Sequence, residues 1–86
     1  MRGNTVREIA GKGAAVLKQA GVDSYRLDAE LLLAKVLGKG RYFLHMNPDY
    51  RPEDRPVEEF LALVGRRAAR EPLQYLTGVQ EFMGLE

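Results

Sequence analysis

The chain has no cysteine and no tryptophan, a single histidine, and almost no imbalance of charge. Each shortage excludes something. Without cysteine there are no disulfides and no thiolate metal sites, and the composition fits a reducing compartment. His45 has no companion ligands at metal-site spacing and no nucleophile beside it, so it reads as a surface or half-buried structural residue. Thirteen basic against 12 acidic residues leave a formal net charge of +1. Such a chain carries no long-range field that would single out nucleic acid or acidic lipid as partner. No apolar run approaches the roughly 20 residues that a membrane helix needs. Residues 1–15 hold no signal-peptide core, because Gly11, Lys12 and Gly13 interrupt them. A soluble, cytoplasmic protein is the expectation.

What is present is an ordinary globular composition, 45% hydrophobic and 29% charged over 86 residues. That is enough for one domain near the lower end of independently stable sizes. The chain shows no internal repeat and no low-complexity tract.

The periodicity is helical. Thr5 and Glu8 have capping-box spacing, and Val6, Ile9, Ala10, Gly13, Val16, Leu17 and Ala20 form an apolar stripe behind them. Gly11 and Gly13 each lower helix propensity by about 1 kcal/mol relative to alanine. Either they admit a close neighbouring helix or they are tolerated defects. Gly21 is a natural stop. A second helix, with Ser24 as its expected cap, runs to about Leu37 before Gly38. From Leu31 to Leu37 only Lys35 is charged, so this helix is apolar on most sides and belongs in the core. Residues 41–46 allow a short strand or a short helix. Asn47 to Asp54 has a loop composition. A further helix starts near Asp54 or Arg55 with Pro56 in its first turn. Its apolar stripe is Val57, Phe60, Leu61, Val64 and Ala68. Pro72 then breaks the helix and starts a new turn, Gly78 offers a stop, and the pattern after it is strand-like.

Three groups invite a chemical reading. Asn47-Pro48-Asp49-Tyr50 is like the Asn-Pro-Pro-Tyr loop of amide and adenine methyltransferases. That loop needs a glycine-rich strand-turn-helix before it for the cofactor, and none precedes it here. It reads as a plain turn. Arg66, Arg67 and Arg70, with Arg41, have two readings. They complement helix dipoles and pair with Glu71, Asp28 or Glu30, or they form a patch that docks on an acidic protein surface. Leu73, Tyr75 and Leu76 read as core or interdomain packing.

The sequence Glu71-Pro72-Leu73-Gln74-Tyr75-Leu76-Thr77-Gly78, followed by Glu81-Phe82-Met83-Gly84-Leu85, resembles the junction in the glutamine methyltransferases of class 1 peptide-chain release factors, the HemK/PrmC family. Asp28-Ala29-Glu30-Leu31-Leu32-Leu33-Ala34 with Leu37-Gly38 and Arg41, and Arg66-Arg67 ahead of Glu71-Pro72, extend the match over nearly the whole chain. The resemblance implies an all-α bundle of four to five helices and favours the short helix at 41–46. It implies a helical substrate-docking domain over residues 1–78. Residues 79–86 would begin an interdomain linker and the first arm of a β-hairpin. Pro72, Tyr75, Gly78, Phe82 and Gly84 would form the junction to a methyltransferase domain that this sequence lacks.

The family transfers a methyl group from S-adenosylmethionine to the glutamine amide of a Gly-Gly-Gln motif. Its cofactor and catalytic residues lie in the missing domain. The expectation is therefore no catalysis and no cofactor in this fragment, with two partners: a class 1 release factor and the chain's own methyltransferase domain. A small helical nucleic-acid binder and a purely structural cap are the alternatives.

Overall fold

A computed structural model describes residues 4–73 and 76. Among them are four helices, α1 (Val6–Gln19), α2 (Tyr25–Leu37), α3 (Arg41–Met46) and α4 (Asp54–Ala68). Leu73 and Leu76 are also helical in backbone, past the break at Pro72. Tyr75, Gly78, Phe82, Gly84 and the expected hairpin arm at 79–86 lie outside the described residues.

The start of α1 accounts for all four of its leading N–H groups, which a helix cannot bond internally. The Thr5 hydroxyl accepts from the Glu8 N–H at 3.3 Å. The Val6 N–H donates to the Tyr50 carbonyl at 2.8 Å and the Arg7 N–H to the Pro48 carbonyl at 3.1 Å. The Asn47–Tyr50 turn thus seals the N-terminus of α1 from across the fold. In return the Glu8 carboxylate accepts from the Thr5 N–H at 2.9 Å, completing the capping box. That backbone bond holds the Glu8 carboxyl below its ordinary pKa.

Three helices end in the same way. After α1, Gly21 (φ 87°) is left-handed, and the Val22 N–H reaches back to the Leu17 carbonyl at 3.0 Å. After α2, Gly38 (φ 70°) does this for Lys39 and Ala34. After α4 the left-handed position is held by Arg70 (φ 78°), with the Glu71 N–H on the Arg66 carbonyl at 3.2 Å. Two glycines and one arginine occupy equivalent stops.

The helix α2 packs against each of the other three. Its Leu32 and Leu33 are fully buried, as the apolar run predicts, and so is Ala29 just before that run. Around them close Ile9 and Leu17 of α1, Leu44 of α3, and Val57, Phe60 and Val64 of α4. Leu76 is buried with them and Leu73 is half-buried against the same core. At Gly13 α4 packs close against α1: a Cβ there would clash with Phe60 Cζ and lie 2.9 Å from Cε2. Gly11 has nothing within 4 Å.

Three expectations need correction. Val16 and Leu61 are solvent-exposed. Each lies at the edge of its stripe, about a sixth of a turn from the centre at 3.6 residues per turn. Ser24 makes no side-chain cap. Its hydroxyl donates instead to Asp28 Oδ1 at 3.0 Å, because a buried carboxylate needs the bond more than a helix end open to water.

Candidate docking surface and chain exit

Asp28 is the one buried charge on α2, its side chain 3% exposed. It lies one helical turn before Leu32, on the same face of α2. Arg67 of α4 donates through Nε to Asp28 Oδ2 at 2.9 Å, and the Ser24 hydroxyl donates to the other carboxylate oxygen, Oδ1. The same guanidinium donates through Nη1 to the Glu71 carbonyl at 3.0 Å. Beside it, Arg66 holds the Glu71 carboxylate through Nε at 3.0 Å and Nη2 at 2.9 Å. Arg70 Nη2 reaches across to the Ala20 carbonyl, the C-cap of α1, at 3.0 Å. Arg66, Arg67 and Arg70 are thus gathered at the exit of α4, immediately before Pro72.

A buried ion pair is close to neutral in net stability, but losing one partner costs about 3–5 kcal/mol. The Asp28–Arg67 pair therefore penalises any packing that separates α2 from the end of α4.

Arg41 stands apart from this group. It pairs with Glu30, with Nε and Nη2 both 2.9 Å from Oε1. Glu30 is two residues from Asp28, which places it on another face of α2. His45 Nε2 lies 3.4 Å from the same Glu30 oxygen. Arg41 and His45 remain largely exposed, and so do their neighbours on α3. Tyr42 is 74% exposed and Met46 60%, one turn apart on one face.

Between α1, α2 and α3 runs an open groove of about 420 Å³. Val6, Ala10, Ala14 and Leu44 form its apolar floor, with Arg7, Arg26, Glu30 and His45 around it. Sequence periodicity did not bring Arg7 and Arg26 forward as site residues. The signal was available: both are cations on faces of α1 and α2 that carry small residues. Among the described residues no three His, Asp or Glu side chains converge as a metal site, and no helix is long and apolar enough to cross a membrane.

The described residues define a class: a small all-helical bundle whose last long helix ends in a cluster of paired arginines. Residues 8–78 match the family model described as the PrmC N-terminal domain, and the chain belongs to that family. It is 41% identical over 80 residues to a release factor glutamine methyltransferase of Clostridium botulinum, covering 93% of this chain and 28% of that protein. It is 40% identical over 82 residues to the protein of that name from Geobacter sulfurreducens, covering 95% and 29%. A bifunctional methyltransferase of Rickettsia conorii is 33% identical over 82 residues, which is 16% of its length. The chain therefore spans under a third of the curated relatives it matches. No solved structure matches it.

Proposed function

We propose that this chain is the release-factor-holding domain of an S-adenosylmethionine-dependent methyltransferase whose target is the glutamine of a Gly-Gly-Gln motif. Binding of the cofactor and methyl transfer belong to the domain that follows in the relatives. The helical domain grips the release factor elsewhere while its loop enters the active site. A tripeptide is too small to supply both affinity and selectivity, and a second contact raises both through effective concentration.

The observation that carries this reading is the surface of α3. Tyr42 and Met46 stand exposed beside Arg41, and tyrosine, methionine and arginine are enriched in protein interfaces. Arg41 and the half-exposed Arg66 are the proposed contacts of the arginine set. All four arginines also bond within the domain, and Arg67, on the buried Asp28, is the one with least surface to offer a partner.

The test removes residues 1–70 from the full-length methyltransferase that carries them. Methylation of a whole release factor should collapse, while methylation of a short Gly-Gly-Gln peptide persists. An equal fall for both substrates would instead make the domain a structural cap.

A further inference from the structure

The exit of α4 is unusual in how completely it is held. A helix end commonly frays, and the residues after it are free to turn. Here the three hydrogen-bonding groups of Glu71 are all engaged. Its N–H is on the Arg66 carbonyl at 3.2 Å, its carbonyl on Arg67 Nη1 at 3.0 Å, and its carboxylate on Arg66 Nη2 at 2.9 Å. The residue before it, Arg70, is fixed in the left-handed region with its guanidinium tied to α1. The residue after it is Pro72, whose ring locks φ. Three consecutive residues are therefore constrained, and the buried Asp28 carboxylate orients the Arg67 fork that holds the middle one.

We propose that the Asp28–Arg67–Glu71 relay sets the path by which the chain passes from α4 into the turn that returns Leu73 and Leu76 to the core, and through that turn the placement of the domain that follows. Arg67 is a positioning residue in this scheme. Arg67 meets the two groups through separate nitrogens of a rigid fork, Nε on Asp28 and Nη1 on Glu71. Lysine brings one nitrogen, so Arg67→Lys is expected to keep the charge on Asp28 and release Glu71. A fixed exit matters for docking, because two contacts on one substrate reinforce each other only when the geometry lets both engage. The kinetic consequence rests on the function proposed above; the geometric one does not.

The experiment uses the full-length methyltransferase, spin-labelled at the exposed Ala15 of α1 and at one site in the methyltransferase domain. Distance distributions are measured for the parent, Arg67→Lys and Arg66→Gln. The last variant frees the Glu71 carboxylate without touching the buried charge, so it tests the relay without threatening the fold. The parent should give a narrow distribution, Arg67→Lys a broad one, and Arg66→Gln an intermediate one. Equal widths for all three would overturn the proposal. In parallel, kcat/KM for whole release factor should fall about tenfold in Arg67→Lys and hold for a Gly-Gly-Gln peptide. Broadened distances with both substrates unaffected would uphold the relay and sink the docking reading.

Discussion

Gly11 and Gly13 make opposite predictions two residues apart in one helix. Replacing either by alanine removes the backbone entropy cost of glycine, which is worth about 1 kcal/mol in a helix interior. At Gly11 nothing lies within 4 Å of the added methyl, so the gain is uncompensated. At Gly13 the methyl would enter the Phe60 ring and lie 3.1 Å from a Val64 methyl. Phe60 is fully buried, and its ring has no solvent to rotate into. Overpacking of this kind costs about 1–3 kcal/mol, and a clash with a fixed ring belongs at the upper end. Gly13→Ala should therefore lose about 1–2 kcal/mol net, set against the helix gain. A domain of this size shifts by about 4–8 °C per kcal/mol. Gly11→Ala should melt several degrees above the parent and Gly13→Ala clearly below it, by circular dichroism on the 86-residue chain. Two variants that rise together would refute the reasoning, since that requires α4 to stand off from α1.

Leu32→Ala and Leu33→Ala should each cost about 2–5 kcal/mol by opening a core cavity, measured by urea titration. Arg70→Ala keeps the left-handed strain and drops the bond to Ala20, so it should lose about 1 kcal/mol. Arg70→Gly drops the same bond but relieves strain of about 1–2 kcal/mol, and should equal or exceed the parent in the same titration. Glu8 titrates below its ordinary value when folded, so its contribution is present above the unfolded pKa and lost as pH falls through the folded one. Glu8→Gln should flatten the acid limb of the stability–pH curve; an unchanged limb would show that the capping box carries no charge-dependent stability.

Much of the fold was legible because its signals are local. Thr5 and Glu8 meet within one turn, and Gly21 and Gly38 stop their helices through their own backbone freedom. The apolar run from Leu31 to Leu37 marked α2 as the core helix, since burial on most faces requires neighbours on most faces. The arginines were visible as a set, and so were the acids that could answer them. Sequence left the pairing open, because a charge is attracted to any opposite charge that the fold brings near. Which acid each arginine takes was decided by contacts between residues far apart in the chain: Arg67 meets Asp28 across 39 positions, and Arg70 meets Ala20 across 50. The distinction between Gly11 and Gly13 was likewise tertiary, because two glycines with the same propensity differ only in what packs against them. The left-handed backbone at Arg70 had no sequence signal at all. It persists because the guanidinium finds the unpaired end of another helix, and only the assembled bundle places that carbonyl within reach.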